Sequence, residues 1–274
     1  MNASGSKAAP ARLSGGLKEL LKTPQMAALH SGPQPGLLML DYDGTLAPFK
    51  KKRDEATPYP GVREILRRLP IEGQGRYSIV SGRDAGEIGS LLELDPLPEI
   101  WGCHGAQRRL VSGELRSAAV SPAHDRACRQ AENAAREQGF DAYACERKAC
   151  SLALHTCFLP EEALARAGMV KSAWAELAAA TGLGLHIFDG GFELRIPGLD
   201  KGVAVHALAA ENPGCIMVYL GDDITDEDAF AALGKNDLPT LVRKEWRPTG
   251  ARYWLKPPED LLSFLAAWPV LKDK

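Results

Sequence analysis

The sequence predicts an α/β fold: a doubly wound parallel sheet with an inserted α+β cap. Three short, largely apolar runs at 36–40, 77–80 and 215–220 are typical of strands buried on both faces. Each run is followed by polar residues and then by a helical pattern, and this repetition is typical of doubly wound sheets. Residues 107–197 instead show short alternating runs and two long amphipathic segments, which predicts the inserted cap.

The core is predicted to comprise residues 34–106 and 198–274. Apolar spacing predicts its helices at 61–69, 85–92, 201–210 and 226–233. Residues 1–33 contain several Gly, Ser and Pro and are predicted to form a flexible N-terminal arm. Within this arm, residues 17–29 could form a short amphipathic helix that Gly32 and the following prolines would end.

The cap at 107–197 is predicted from two turn signals and the segments around them. Ser112-Gly113 and Asp189-Gly190 are hairpin dipeptides, and the second one separates strands at 184–188 and 192–196. The remaining predicted elements of the cap are helices at 123–138 and 161–180 and a strand at 151–155.

Composition and charge narrow the functional classes. The chain has 274 residues and a formal net charge of −2, so its charge does not favour nucleic acid or an acidic membrane as a partner. No apolar run approaches the roughly 20 residues of a membrane span, and no signal peptide is recognisable. The six cysteines lack paired C-x-x-C spacing, which argues against a zinc site. We therefore expect a cytoplasmic protein with reduced thiols.

Polar residues follow each of the three predicted core strands. They are Asp41-x-Asp43, Ser81-Gly82-Arg83 and Gly221-Asp222-Asp223. Because ligands of open α/β sheets bind beyond the carboxyl ends of the strands, these clusters are expected to converge on one crevice.

The segment Asp41-Tyr42-Asp43-Gly44-Thr45 carries the strongest chemical signal. Asp41 could attack phosphorus as a nucleophile, and Asp43 could protonate the leaving oxygen. Gly44 permits an unusual backbone angle, and Thr45 offers hydroxyl and amide donors to a phosphate. A plain turn or helix N-cap is the alternative, because Asp-Gly is common in both. The apolar strand directly before Asp41 favours the catalytic interpretation.

Phosphate-binding residues are predicted in two further segments. Ser81, Gly82 and Arg83 follow the second strand, where a hydroxyl and a glycine backbone suit a phosphate; a capped strand-to-helix turn is the alternative. Lys201 stands at a helix start, where a positive charge opposes the helix dipole. A bound phosphate would explain that placement, and an ordinary solvated lysine is the alternative.

The acidic run from Asp222 to Asp228 predicts a magnesium site. Carboxylates this close repel one another unless a cation or a helix N-terminus compensates. Mg²⁺ prefers a few carboxylates, water and phosphate oxygens, and Asp41 and Asp222 could supply the carboxylates. Asp223 or Asp226 would support these ligands from behind, although an acidic helix start would also explain the later residues of the run.

These four segments together resemble the haloacid dehalogenase-like phosphohydrolases. The resemblance implies a Rossmann-like core, Asp41 as nucleophile, Asp43 as general acid and base, and Mg²⁺ bound by Asp41, Asp222 and the main-chain carbonyl of Asp43. Ser81 and Lys201 would hold the phosphate.

A narrower resemblance, to the trehalose-6-phosphate phosphatases, extends from about Gly36 over nearly the whole chain. It rests on the segments above and on His104-Gly105-Ala106, Glu146-Arg147-Lys148, Ser151 to His155, and Glu193-Leu194-Arg195-Ile196-Pro197. The family implies that the cap closes over a disaccharide phosphate. The substrate-binding residues that it implies are His104, Glu146, Lys148, His155, Glu193 and Arg195. The chain departs from the family pattern at Cys103 and at Thr156-Cys157, both on the substrate side.

The expected activity is hydrolysis of trehalose 6-phosphate through an aspartyl-phosphate. A functional pairing with a trehalose-phosphate synthase is a further expectation. Two alternatives remain open. One is a phosphatase of another sugar phosphate, such as glucosylglycerol phosphate or sucrose phosphate. The other is a non-catalytic sensor of sugar phosphates.

Overall fold

A computed structural model describes residues 13–31 and 35–268. Elements are numbered in chain order. The core sheet of the described residues consists of β1 (Gly36–Leu40), β2 (Tyr77–Val80), β3 (Glu99–Gly102), β4 (Gln107–Arg109), β5 (Leu115–Ser117), β10 (Ile216–Gly221), β11 (Leu238–Val242) and β12 (Tyr253–Leu255).

The strand order in this sheet is β12-β11-β10-β1-β2-β3-β4-β5. The pairs from β12 to β3 are parallel, and β4 and β5 add an antiparallel edge. Leu40 at the end of β1 pairs with Leu220 of β10 and with Ile79 of β2. The residues that follow these three strands therefore meet at one edge of the sheet, as the sequence predicts.

Helices cover both faces of the core sheet. One face packs against α1 (Leu17–Leu21), α2 (Pro24–Ser31), α3 (Val62–Leu66), α4 (Ala85–Leu92) and α9 (Glu259–Ala267). The other face packs against α7 (Lys201–Glu211) and α8 (Glu227–Ala232). Side chains of β1 alternate between the two layers, with Leu38 and Leu40 on the first and Leu37 and Met39 on the second. This alternation explains why the strand is apolar throughout.

The cap is a separate α+β layer. Its elements are α5 (Pro122–Glu137), β6 (Cys145–Arg147), β7 (Ser151–His155), α6 (Glu161–Thr181), β8 (Gly184–Phe188) and β9 (Gly191–Arg195). The strands form an antiparallel sheet in the order β6-β7-β9-β8. Trp174 is fully buried between this sheet and the helices, and its indole nitrogen donates to the carbonyl of Ala131 at 2.9 Å.

The predicted N-terminal arm differs from the structure where the chain is described. Residues 13–31 form α1 and α2, and Leu20, Met26 and Leu29 are buried against the core. Burial of these three apolar side chains outweighs the Gly and Pro content on which the prediction of a flexible arm depends. Residues 1–12 and 32–34 lie outside the described residues.

The predicted start of the cap also differs. The hairpin around Ser112-Gly113 exists as β4 and β5, but β4 pairs with β3 and extends the core sheet. The cap proper therefore runs from α5 to β9. None of the helices within residues 13–31 and 35–268 is long and apolar enough to cross a membrane.

Candidate active site

Asp41 lies directly after β1 and is almost fully buried. Its backbone N–H donates to the Leu220 carbonyl at 2.9 Å, and its Oδ1 accepts a hydrogen bond from Lys201 Nζ at 2.6 Å. Burial raises the pKa of Asp41 from 3.8 to about 7, with Lys201 opposing the rise and Asp226 adding to it. The strand end thus presents a carboxylate in a setting where a second positive charge would be favourable.

A tight turn follows Asp41 and brings two acidic segments together. The Gly44 N–H donates to the Ala47 carbonyl at 2.7 Å, and Gly44 has a φ of +81°. A Cβ at position 44 would overlap the Asp222 carboxylate. Glycine is therefore required here both by the backbone angle and by the close approach of Asp222.

Asp43 is held by Arg83 in a bidentate ion pair. Arg83 Nε and Nη2 donate to the two carboxylate oxygens of Asp43 at 2.6 and 2.7 Å. Arg83 Nη1 donates to the Arg53 carbonyl at 2.9 Å and also pairs with Glu87. Because these partners engage most of the guanidinium donors, Arg83 fixes Asp43 in this structure. The phosphate contact predicted for Arg83 stays a prediction.

Lys201 begins α7, where Asp200 caps the helix, and its ammonium lies between two buried carboxylates. Its Nζ donates to Asp226 Oδ1 at 2.7 Å as well as to Asp41. Burial disfavours the charged ammonium, but Asp226 and Asp41 outweigh burial and raise the pKa of Lys201. The lysine therefore stays protonated and sets a fixed positive charge beside Asp41.

Asp226 has all its main acceptor positions filled. Its Oδ1 also accepts from the Tyr219 hydroxyl at 2.8 Å, and its Oδ2 accepts from the backbone N–H groups of Asp222 and Asp223, both at 3.0 Å. These bonds hold the loop after β10 in shape. This geometry agrees with a supporting position for Asp226, which is one of the two options that the sequence left open.

Carboxylate oxygens of Asp41, Asp222 and Asp226 lie within 4.8 Å of one another. Burial, followed by the charges of Asp41 and Asp226, raises the pKa of Asp222 well above its ordinary value. Asp222 Oδ1 is buried and has no hydrogen-bond partner among the described residues. A buried oxygen without a donor, facing two other carboxylates, fits a cation site. With Asp226 already engaged, Asp41 and Asp222 have the freer oxygens.

Asp223 connects the acidic loop with the cap. Its Oδ1 accepts from the backbone N–H of Ile224 at 2.7 Å and from that of Asp189, in the β8–β9 turn, at 3.2 Å. Arg243 strengthens this contact by pairing with Asp189 at 2.5 Å. The Asp223 side chain therefore contacts the cap turn, while its backbone N–H donates to Asp226.

Hydroxyl groups of the predicted phosphate-binding residues are buried beside the site. Ser81 Oγ accepts from the Arg83 N–H at 3.1 Å, and its own proton has no acceptor within the part of the chain that the structure describes. Thr45 Oγ1 has no hydrogen-bond partner among the described residues. A Cβ on Gly82 would lie 2.5 Å from His104 Cε1, so glycine lets the imidazole approach this strand end.

Four side chains converge on Glu193 in the cap. Its carboxylate accepts from Lys148 at 3.0 Å, from Ser151 at 2.7 Å and from Arg195 at 2.7 Å, and His104 Nε2 lies 3.0 Å away. Burial opposes its charge, but Lys148 and Arg195 outweigh it and hold the pKa of Glu193 well below its ordinary value. Burial and then Arg195 lower the pKa of His104 to about 3, so this imidazole is neutral.

Glu146 and His155 contact Arg53, a core residue that was not predicted as a site residue. Arg53 Nη1 pairs with the Glu146 carboxylate and lies 2.6 Å from His155 Nε2. Burial opposes the Glu146 charge, but the His155 hydrogen bond and the charges of Lys148 and Arg53 lower its pKa to about 2. The basic run before Arg53 is the only sequence signal for it, and a contact across 93 positions leaves no local pattern.

An inner cavity of about 90 Å³ collects most of the predicted site residues. Its lining includes Asp41, Asp43, Gly82, His104, Lys148, His155, Glu193, Lys201, Asp222 and Asp223. Phe49, Phe188 and Thr225 also line it, although none of the three was predicted as a site residue. Within the described part of the chain, six predicted residues do not line this cavity: Thr45, Ser81, Arg83, Glu146, Arg195 and Asp226.

Comparison with known proteins shows which family the chain belongs to. The family model described as trehalose-phosphatase matches residues 39–256, which include both the core motifs and the cap. The chain belongs to the trehalose-phosphatase family. This result confirms the narrower resemblance and identifies the chain as a phosphoric monoester hydrolase.

Two relatives of this trehalose-phosphatase family member are themselves named as trehalose-phosphate phosphatases. A trehalose-6-phosphate phosphatase of Escherichia coli (strain K12) is 28% identical over 221 residues, which are 79% of this chain and 78% of the relative. A trehalose-phosphate phosphatase of Mycobacterium ulcerans (strain Agy99) is 30% identical over 249 residues, which are 85% of this chain. The chain spans 60% of that mycobacterial relative.

A solved structure of the same family shares the fold. The C-terminal domain of C. albicans trehalose-6-phosphate phosphatase superimposes with a TM-score of 0.74, covering 86% of this chain and 93% of that domain. The sequence identity is 22%, so this comparison concerns the fold alone. It confirms the predicted α/β core with an inserted α+β cap.

Proposed function

We propose that this trehalose-phosphatase family member hydrolyses trehalose 6-phosphate to trehalose and phosphate, with Asp41 as the nucleophile. The observation that carries the proposal is the setting of Asp41 at the end of β1. Lys201 donates to one of its carboxylate oxygens, and Asp222, whose Oδ1 has no partner among the described residues, lies nearby. Asp43, two residues on, lines the same cavity and has a 26% exposed side chain.

The proposed reaction has two steps at one phosphorus atom. Asp41 attacks phosphorus and the bond from phosphorus to the sugar oxygen breaks, while Asp43, in a protonated form released from its ion pair with Arg83, gives that oxygen its proton. Asp43 then takes a proton from water, which attacks the aspartyl-phosphate, releases phosphate and restores Asp41. Arg83 orients Asp43, and Lys201 supplies a fixed positive charge close to Asp41 throughout. Ser81, Thr45 and the Gly82 backbone are the proposed donors to the phosphate oxygens.

Mg²⁺ is the proposed cofactor, and the donor set suits it. Asp41 and Asp222 would hold the ion, with the Asp43 carbonyl as the family resemblance implies. The orphaned Asp222 Oδ1 supports this fit. Bound there, the ion would reduce repulsion between the Asp41 carboxylate and the phosphate.

The cap residues Lys148 and Glu193 and the core residue His104 line the inner cavity and are the proposed sugar contacts. Lys148, Glu193 and His104 form a buried, hydrogen-bonded group that could exchange partners with sugar hydroxyls. Glu146 and Arg195 do not line the cavity and would act by positioning Arg53 and Glu193. A functional pairing with a trehalose-phosphate synthase also remains part of the proposal.

A substrate panel tests the proposed substrate. Wild-type protein with Mg²⁺ is assayed for phosphate release from trehalose 6-phosphate, sucrose 6-phosphate, glucosylglycerol phosphate and glucose 6-phosphate. We expect the highest kcat/KM on trehalose 6-phosphate, by roughly tenfold or more, because a matched hydrogen-bonding site rejects a sugar that leaves buried groups unpaired. A higher kcat/KM on another member would replace the substrate, and no turnover on any of them would favour the sensor.

Thermal unfolding tests the proposed ion independently of turnover. Adding Mg²⁺ to metal-free protein should raise Tm by several degrees, since a ligand at 100 times its Kd stabilises by about 2.7 kcal/mol. Asp222→Asn removes a buried carboxyl group that Asp41 and Asp226 disfavour, so without metal this variant should be at least as stable as wild type, and it should lose the Mg²⁺ shift. Glu162→Gln, an exposed acid on α6, is the control and should keep the shift. An unchanged shift in Asp222→Asn would exclude Asp222 as a ligand.

A further inference from the structure

The segment between β11 and β12 contacts the acidic loop that follows β10, and Arg247 makes two hydrogen bonds to that loop. Its Nε donates to the Asp222 carbonyl at 3.1 Å, and its Nη2 donates to the Asp223 carbonyl at 2.6 Å. One planar guanidinium thus holds two successive main-chain carbonyls. The proposed reaction assigns no part to Arg247.

Glu227, the first residue of α8, holds the guanidinium in place. Arg247 Nη1 donates to Glu227 Oε1 at 2.5 Å and to the Pro248 carbonyl at 2.9 Å. The same carboxylate accepts from the Thr249 hydroxyl and from the Gly250 N–H, both at 2.7 Å. The Arg247 side chain is only 17% exposed. Because all three of its nitrogens have acceptors, the plane of the guanidinium is fixed.

The backbone of Asp222 and Asp223 is held through its N–H groups as well as through its carbonyls. Both N–H groups donate to Asp226 Oδ2 at 3.0 Å, and the other oxygen of Asp226 accepts from Lys201. Arg247 and Asp226 together therefore bond all four main-chain polar groups of the two residues.

The Asp222 carboxylate depends on this backbone for its position. Its Oδ1 is buried and has no hydrogen-bond partner among residues 13–31 and 35–268, so no donor there fixes the direction of that oxygen. Mg²⁺ requires near-ideal octahedral geometry, with ligand oxygens at about 2.0–2.1 Å. A small displacement of the loop would therefore weaken binding of the ion.

We infer that Arg247 is a positioning residue for the proposed Mg²⁺ site: it fixes the Asp222 carboxylate through the main chain and so sets the affinity for the ion. This inference rests on the proposed function, which it deepens. Arg243 also reaches the Asp222 carbonyl, at 3.4 Å, but it pairs more closely with Asp189 of the cap, at 2.5 Å. Arg247 is therefore the main support of the loop on its carbonyl side.

The charge of Arg247 and its hydrogen bonds have opposite effects on a bound cation. Loss of the charge alone would remove a repulsion and leave Glu227 unpaired, so Mg²⁺ would bind more tightly. Loss of the two carbonyl contacts would displace Asp222, so Mg²⁺ would bind more weakly. A purely structural role would lower the Tm of the metal-free protein and leave the Mg²⁺ affinity unchanged.

Calorimetric titration of metal-free protein with Mg²⁺ distinguishes these roles. Arg247→Gln should raise the Kd for Mg²⁺ roughly 10- to 100-fold, as expected for a group that orients a metal ligand. Arg247→Lys keeps the charge, but an ammonium cannot hold both carbonyls in one plane, so its Kd should rise by a smaller factor. Arg252 also donates to a main-chain carbonyl, that of Lys235 at 3.1 Å, and Arg252→Gln is the matched control with wild-type affinity.

Thermal unfolding without metal shows whether each variant is folded, and Arg247→Lys carries the comparison if Arg247→Gln does not fold. Unchanged or tighter Mg²⁺ binding in the folded Arg247 variants would overturn the inference. If these variants bind Mg²⁺ more weakly while wild type does not hydrolyse trehalose 6-phosphate, the role of Arg247 stands and the proposed reaction falls. A wild type that binds no Mg²⁺ would overturn both the proposed cofactor and the role of Arg247.

Discussion

Replacing Asp41 by Asn is expected to lower kcat on trehalose 6-phosphate by roughly four orders of magnitude. The amide has the shape of the carboxylate but cannot attack phosphorus, and no other described carboxylate has the same position beside Lys201. Asp226 shares that lysine but is already saturated with donors. The measurement is phosphate release at saturating substrate and Mg²⁺, and Asp54→Asn, an exposed acid in the same core loop region, is the control.

A pH series shows whether the Asp41→Asn variant is folded. The pKa of Asp41 is raised to about 7, so folded wild type without metal keeps a proton that the unfolded chain releases above about 3.8. Wild type therefore loses stability from this group as pH rises from 4 to 7, by about 1.4 kcal/mol per unit of pKa difference. The Asn side chain does not titrate, so the variant should gain stability relative to wild type over that range. Activity above about one hundredth of wild type in the folded variant would contradict the nucleophile.

Lys201→Met is expected to affect both stability and turnover. Removing the buried ammonium leaves Asp41 and Asp226 without their shared cation, and breaking a buried pair costs about 3–5 kcal/mol. We also expect kcat to fall by about a hundredfold or more, since the fixed positive charge beside the phosphate is lost.

Denaturant unfolding and turnover at low temperature measure the two effects of Lys201→Met separately. Lys171→Met, which removes an exposed lysine of α6, is the matched control and should change stability by less than about 0.5 kcal/mol. Turnover per folded molecule within about twofold of wild type would show that Lys201 has a structural role only.

The elements that the sequence predicts best are those whose pattern comes from complete burial. β1, β2 and β10 are flanked by strands and covered by helices on both faces, so their side chains are almost all apolar. Three parallel strands lack that signature and were not predicted: β3, β11 and the short edge strand β12. β3 begins with the buried Glu99, which pairs with Arg108 at 2.7 Å, and β11 contains Pro239. A buried ion pair or a proline interrupts the apolar pattern from which a buried strand is predicted.

The residues of the candidate site also fall into those that the sequence could predict and those that it could not. Strand-end residues such as Asp41 and Asp222 could be predicted because sheet topology alone brings them together. Partners that depend on cap closure could not be predicted, since Arg53 and Glu146 meet only when two distant surfaces pack. The ion pair of Arg83 with Asp43 also joins two loops, so residue type alone suggested a phosphate contact. Local sequence therefore identifies the reacting groups better than the side chains that orient them.

The most direct test of the central claim is to trap the phosphoryl group on the protein. Wild type mixed with trehalose 6-phosphate and Mg²⁺ is quenched within one turnover and treated with borohydride, which reduces an acyl phosphate and converts that aspartate to homoserine. Peptide mass spectrometry then locates the changed residue. The proposed mechanism predicts homoserine at position 41, dependent on substrate and absent from Asp41→Asn. Homoserine at another aspartate, or none at position 41 while phosphate is released, would contradict it.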